Sequence, residues 1–258
     1  MTAAAVPRFE VLGVHLSAVD MDGALTEITR WIEERCNHYV CVTGVHGVME
    51  AQRDESLRLI HNRSGLTTPD GMPMVWAARW AGFPDVRRVY GPDLMLALSE
   101  RAAQRGWRCY LLGGKEGIAD RTAARLARAF PQLSVVGTHS PPFRPLTEAE
   151  DAELVERINA SNPDIVWVGL STPKQERWMA AHLHKLTAPV LIGVGAAFDI
   201  HAGVVRQAPL WMQHSGLEWL FRMGTEPRRL ARRYLSNNPR FVMRVLRRRP
   251  GPAPASTD

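Results

Sequence analysis

A carboxylate fixed between a proline and a glycine is the first place in this chain to look for chemistry. Pro69-Asp70-Gly71 follows a short strand expected at 66–68 and precedes an apolar helical stretch, so Asp70 stands in a stiff turn at a strand end. There it can accept a proton from an incoming hydroxyl, or serve simply as a turn or N-cap aspartate. The local pattern fits both readings. Thr43 closes another apolar run, and Gly44 after it leaves room for a ligand to approach. A hydroxyl there can orient a sugar or phosphate oxygen, and His46, just past the turn, can handle a proton or merely pack. Further along, Ser171-Thr172-Pro173 leads into Lys174, Gln175 and Glu176. The lysine suits a phosphate and the glutamine the edge of a base; the glutamate suits sugar hydroxyls or the positive end of a helix. Asp199, after Gly195-Ala196-Ala197-Phe198, is a second carboxylate at a strand exit.

The arginines form a group apart. Residues 209–258 hold ten of them against Glu218, Glu226 and Asp258, a net +7, whereas the preceding 208 residues sum to −1. Arg228, Arg229, Arg232 and Arg233 recur at one- and four-residue steps beside Trp211, Trp219, Phe221, Tyr234 and Phe241. A cationic helix side next to aromatic residues is the pattern of an element drawn to anionic headgroups, and some of these arginines can hold a diphosphate. A solvated basic face or a nucleic-acid surface has the same composition, but the near-neutral body adds nothing to the nucleic-acid reading.

The elements that must position these residues follow a repeated order of apolar strand, Gly/Pro turn and helix. Asn162 to Trp178 shows it most clearly: a buried-type strand over 164–170, a sharp small-residue turn, then helical spacing over 174–185. Strands are expected at 9–16, 39–43, 66–68, 108–112, 133–137 and 190–194. Helices are expected at 21–35, 48–62, 74–80, 91–105, 116–130 and 147–159, the last opened by a capping box of Thr147 and Glu150. This order predicts an α/β fold with a largely parallel, Rossmann-like sheet covered by helices on both faces, whose ligands bind at the carboxyl ends of the strands. From Pro209 the spacing changes to helices alone, at 210–223, 227–235 and 239–249. The expected division is an α/β catalytic domain over 1–208, a basic helical appendage over 209–249 and a disordered tail over 250–258, with residues 1–7 also frayed.

Several classes are set aside. Cys36, Cys41 and Cys109 lack the spacing of a disulfide framework or a zinc site. Gly113-Gly114-Lys115 lacks the order of a phosphate-binding loop, and Gly193-Val194-Gly195 lacks the third glycine of the dinucleotide fingerprint, which argues against kinase, ATPase and nicotinamide chemistry. No leader pattern opens the chain and no apolar run reaches the length of a membrane span, so a cytoplasmic protein is expected.

Taken together, six stretches resemble the WecG/TagA/CpsF glycosyltransferases of bacterial envelope and exopolysaccharide assembly. They are TTPDGMPMVWA (67–77), RRVYGPDLM (87–95), LLGGKEGIA (111–119), NPDIVWVGLSTPKQERWM (162–179), LIGVGAAFDIHAG (191–203) and GLEWLFRMGTEPRRLARRYLSNNP (216–239). The resemblance implies an inverting, metal-independent and cofactor-free enzyme. Such an enzyme moves a sugar from a UDP-sugar to a polyprenyl-diphosphate-linked sugar at the inner face of the cytoplasmic membrane. It further implies a GT-E-like fold with a membrane-associating C-terminal appendage. By the family pattern Asp70 is the general base with Thr43 its neighbour. Arg88 and Gln175 are nucleotide-sugar ligands, and Arg222, Arg229 and Arg232 are the appendage residues that reach the membrane and the lipid diphosphate. In one respect the chain departs from the pattern. Where many members read Thr-x-Asn, it has Thr43-Gly44-Val45 followed by His46, which points away from an N-acetylmannosamine donor and lets His46 take over part of the amide's role.

Three competitors remain at this level: a glycoside hydrolase, a UDP-sugar epimerase or dehydrogenase, and a non-catalytic membrane adaptor. Asp70 and Asp199 admit the first, the failed fingerprint weighs against the second, and the basic tail alone would suit the third. Apolar surface around Trp211 and Trp219 suits either a membrane or a second subunit.

Overall fold

The structure, a computed structural model, describes residues 6–254. Residues 1–5 and 255–258, which carry most of the two expected frayed ends, lie outside the described residues. Along the chain come β1 (Arg8–Val11), β2 (Val14–Ser17), α1 (Met21–Glu33), β3 (His38–Thr43), α2 (Val45–Ala51), α3 (Glu55–Arg63), β4 (Leu66–Pro69) and α4 (Met72–Trp80). The middle holds α5 (Gly91–Arg105), β5 (Arg108–Gly113), α6 (Ile118–Ala129), β6 (Ser134–His139), α7 (Glu148–Ala160), β7 (Ile165–Gly169), α8 (Lys174–His182), β8 (Val190–Gly193) and α9 (Ala197–His201). Last come α10 (Leu210–His214), α11 (Glu218–Thr225), α12 (Pro227–Arg247) and β9 (Gly251–Pro252). The fold is α/β with a parallel sheet, as the alternating pattern predicts.

The chain divides into two compact units. One comprises the residues up to Ala24, Val42–Tyr90 and everything from Arg206; the other comprises Leu25–Cys41 and Gly91–Val205. In the second unit β3, β8, β7, β5 and β6 lie side by side in that order, and every pairing is parallel. The middle strands are apolar on both faces: Ile165 to Val168 and Val190 to Ile192 are each fully buried. A strand covered on both sides needs such a continuous apolar run. The capping box of Thr147 and Glu150 forms as expected, with Arg144 gripping the same glutamate.

The first unit is built on a different plan. The stretch expected as one strand at 9–16 is a hairpin, because Leu12 and Gly13, both at positive φ, turn β1 back onto β2. The single helix expected over 48–62 is two, α2 and α3, since the Asp54 carboxylate accepts the Leu57 N–H and starts a new helix there. Pro239, expected to begin a separate helix, lies inside α12. An interior proline costs about 3 kcal/mol. Beyond it Phe241 and Val245 are buried in a core with Phe9, Val11, Leu16, Met49 and Met74, and each such burial returns about 1.5–3 kcal/mol. Gly251 and Pro252, expected in a disordered tail, instead pair antiparallel with β1, and the Ala253 N–H donates to the Arg8 carbonyl. Of the helices expected in the appendage, α12 thus shares one core with the opening hairpin.

Candidate active site

Asp70 sits where β4 ends and α4 begins. Its N–H donates to the Thr43 carbonyl at 2.9 Å, and the next residue but one, Met72, opens the helix. Gly71 lies at φ +89°, a conformation that a side chain would strain, so the turn after Asp70 depends on this glycine. Gly44 is fixed by a different constraint. A Cβ there would stand 2.7 Å from the Asp70 carbonyl oxygen, so only a bare backbone lets the β3 and β4 ends meet in this way. Thr43 is buried, with Oγ1 3.3 Å from Nδ1 of the fully buried His61.

Around this turn the first unit gathers a charged cluster. Arg88 donates through Nη1 to Gln213 Oε1 at 3.0 Å and through Nη2 to the Glu218 carboxylate, and its guanidinium lies 3.8 Å over the Tyr90 ring. Its two Nη groups are thus held by α10 and α11. Burial, reinforced by the Glu218 and Asp70 charges, holds the Tyr90 phenol well above its usual pKa, so it stays a neutral donor to Glu218. Burial opposes the charge of Arg222, but Tyr234, Tyr90, Glu218 and Asp70 outweigh it and keep the guanidinium above its ordinary value. Arg222 is thus an electrostatic neighbour of Glu218 and of Asp70, the candidate base.

Arg233 is the residue that sequence spacing did not single out from its neighbours. Burial lowers its pKa, Tyr234 raises it, and the Arg222 and Arg229 charges lower it further. The Nε atoms of both Arg222 and Arg233 are buried without a hydrogen-bond partner. By contrast Arg229 is exposed and bonded to Glu226 at 2.6 Å, and Arg232 is exposed. Of the three arginines implied by family pattern, only Arg222 faces inward. His46 has Nδ1 3.8 Å from Glu50 Oε1 and 3.5 Å from Nδ2 of the buried Asn237, whose Oδ1 accepts from Arg53 at 3.2 Å. An amide side chain thus stands beside His46 after all, supplied by α12.

The remaining candidates belong to the second unit. Lys174 opens α8 and lays its ammonium 4.3 Å over the ring of the exposed Phe143. Gln175 and Glu176 are buried; Glu176 Oε1 accepts from Thr172 Oγ1 at 2.8 Å and from Gln175 Nε2 at 3.1 Å. Glu176 Oε2 and Gln175 Oε1 have no partner, and burial raises the Glu176 pKa. Burial thus favours the protonated form of this carboxyl, whose Oε1 accepts twice. Asp199, half-buried in the first turn of α9, uses its carbonyl to accept the Val204 and Val205 N–H groups.

Residues 9–254 match the glycosyl transferase WecG/TagA/CpsF family. The protein belongs to this family and is a glycosyltransferase. A relative 28% identical over 219 residues, 85% of this chain and 82% of its own, is the N-acetylglucosaminyldiphosphoundecaprenol N-acetyl-beta-D-mannosaminyltransferase of Bacillus spizizenii. In the glycosyltransferase described here, the match runs through both units and on into α12 and β9. The C-terminal helices are therefore part of what the family shares, in keeping with the core that α12 builds with β1 and α2.

Proposed function

We propose that this glycosyltransferase moves a sugar from a UDP-sugar to a polyprenyl-diphosphate-linked glycan in envelope or exopolysaccharide synthesis, with inversion and without a metal. The observation that carries the reading is the Asp70 turn, a carboxylate with its backbone pinned to Thr43 and an inward-facing arginine in electrostatic reach. Asp70 takes the proton of the acceptor hydroxyl as that oxygen attacks the anomeric carbon, and the bond to the UDP oxygen breaks on the opposite face. One displacement turns an α-linked donor into a β-linked product. Arg222 and Arg233 supply fixed positive charge for a diphosphate, the task a divalent cation performs elsewhere. The relative's printed activity joins an N-acetylmannosaminyl group to a lipid-diphosphate acceptor, which supports the acceptor class. The donor of this chain is left open, because His46 and Asn237 furnish the polar edge at the end of β3.

The lipid side of the reading rests on α12. Leu235, Val242, Met243 and Leu246 are exposed along one stripe of it, flanked by Arg240, Arg244 and Arg247, while Leu230, Asn237, Phe241 and Val245 face the core. An apolar stripe bordered by arginines suits the interface of an anionic bilayer at the cytoplasmic face. Among the described residues no helix is long and apolar enough to cross a membrane. Purified protein is to be incubated with a panel of UDP-sugars and short-chain polyprenyl-diphosphate glycans, with chelator present, and the anomeric configuration of the product read by NMR. Asp70→Asn should lower kcat by about 10²–10⁴-fold. Wild-type turnover in that variant, or a product of retained configuration, would overturn the mechanism.

A further inference from the structure

His61 is absent from the candidate residues read from the sequence, yet its surroundings tie it to the Asp70 turn. It is fully buried on α3, and burial pushes its pKa down to about 4, so the ring is neutral. Its main-chain carbonyl accepts from Ser64 Oγ at 2.8 Å and from Thr67 Oγ1 at 2.9 Å, which anchors the residue to the start of β4. Its ring reaches β3, where Nδ1 stands 3.3 Å from Thr43 Oγ1. The other ring nitrogen, Nε2, is buried with no partner.

The geometry leaves one economical arrangement of hydrogens. If Nδ1 accepted from Thr43, the ring proton would sit on Nε2 as a buried N–H bonded to nothing, which is the costly kind of orphan. If the proton sits on Nδ1, it donates to Thr43 Oγ1 and only a lone pair on Nε2 goes unused. The Thr43 methyl has its place only because residue 47 is glycine, since an added Cβ there would lie 2.9 Å from Thr43 Cγ2. With the proton on Nδ1, the Thr43 oxygen accepts from His61 and its own O–H is left to donate. Its carbonyl meanwhile holds the Asp70 N–H.

We propose that His61 is a positioning residue for the transfer reaction: as the Nδ1–H tautomer it orients the Thr43 hydroxyl as a donor and steadies the strand end that fixes Asp70. The kinetic part rests on Asp70 acting as base; the tautomer does not. In protein carrying ¹⁵N-histidine, long-range ¹H–¹⁵N spectra should show His61 protonated on Nδ1, and Thr43→Val should abolish or shift that signature. A wild-type ring protonated on Nε2 would overturn the proposal. For turnover, His61→Phe keeps the bulk and removes both nitrogens; it should lower kcat about 10-fold with KM for the donor changed less than twofold. His61→Asn, whose amide can donate to Thr43, should recover most of kcat. The Thr43→Val and His61→Phe losses should not add, since both remove one contact. Should His61→Phe fail to fold, the tautomer, His61→Asn and Thr43→Val still decide the matter. Full kcat in His61→Phe, or additive losses, would leave His61 a purely structural residue. If Asp70→Asn keeps its activity while the tautomer is as stated, the base assignment fails and the His61–Thr43 contact stands.

Discussion

In the first unit, Asp70, Arg88, Glu218, Arg222 and Arg233 come from the turn after β4, the segment after α4, α11 and α12, separated by as much as 163 residues of chain and linked electrostatically. In the second, Thr172, Gln175 and Glu176 come from a single strand-to-helix turn and are joined by hydrogen bonds to one carboxyl whose pKa burial raises. Both clusters are polar and largely buried. A cluster assembled from distant segments couples those segments, so its loss should be felt in folding and catalysis together. A cluster made from one turn should be felt locally.

The sharpest way to break this contrast is at Glu218. Its carboxylate and the Arg88 guanidinium are 16% and 10% exposed, so removing one leaves the other with little water to replace it. Glu218→Ala should destabilise the protein by about 3 kcal/mol, the lower end for a broken buried pair, and the Tyr90 phenol loses its acceptor as well. Replacing both charges, as Arg88→Met with Glu218→Leu, should restore much of that stability. Urea titration followed by circular dichroism measures both. If Glu218→Ala shifts stability by less than about 0.5 kcal/mol, the ordinary range of surface changes, the helices from 210 onward are not coupled to Arg88.

Gly44→Ala tests the same unit through its backbone. The new methyl would meet the Asp70 carbonyl at 2.7 Å and push the base out of place without removing any functional group. A displacement of about 1 Å can cost on the order of 100-fold in rate. The expected result is a kcat loss of that order at nearly unchanged donor affinity. A variant of wild-type kcat would mean that the position of Asp70 is not critical.

What the sequence makes legible follows the same division. The turn at 171–176, its strand and its helix are local, and periodicity with one proline suffices to place them. Asp70 is local too, because Pro69 and Gly71 announce the turn. The partners of Arg88 are not, since Gln213 and Glu218 lie 125 and 130 residues away and no spacing rule connects them. Arg233 is hidden for another reason: in a run of Arg228, Arg229, Arg232 and Arg233, composition cannot tell the residue facing inward from those facing water. The continuity of α12 through Pro239 and the pairing of β9 on β1 were illegible because buried contacts, not local propensity, decide them.

The arginines can be separated by binding. Arg233→Gln should weaken binding of pyrophosphate, used as a minimal diphosphate probe, by about 10-fold, the scale of one charge-assisted hydrogen bond at 1.5–3 kcal/mol less its solvent-exposed share. Arg232→Gln, on the exposed side of the same helix, should change it less than twofold at 0.15 M salt, where exposed charges are screened within about 8 Å. Isothermal titration gives both values. Equal losses would show that α12 attracts the anion by overall charge, and the contrast between inward and outward arginines would fall.

The smallest effect, and the one that isolates the second unit, is expected from Glu176→Gln. Burial raises the Glu176 pKa above its ordinary 4.5, so the folded protein holds this proton to a higher pH than the unfolded chain does. Below that ordinary value both states carry the proton and the group takes nothing from stability. As pH rises above it, the unfolded chain releases the proton first, and the fold loses stability progressively until its own raised pKa is passed. Glutamine mimics the protonated acid in shape, accepts from Thr172 and Gln175 through its oxygen, and does not titrate. The variant and the wild type should therefore unfold at nearly the same urea concentration at pH 4, and the variant should be the more resistant at pH 8. Parallel behaviour at the two pH values would mean that the fold does not raise the Glu176 pKa, and the contrast between the two clusters would fall.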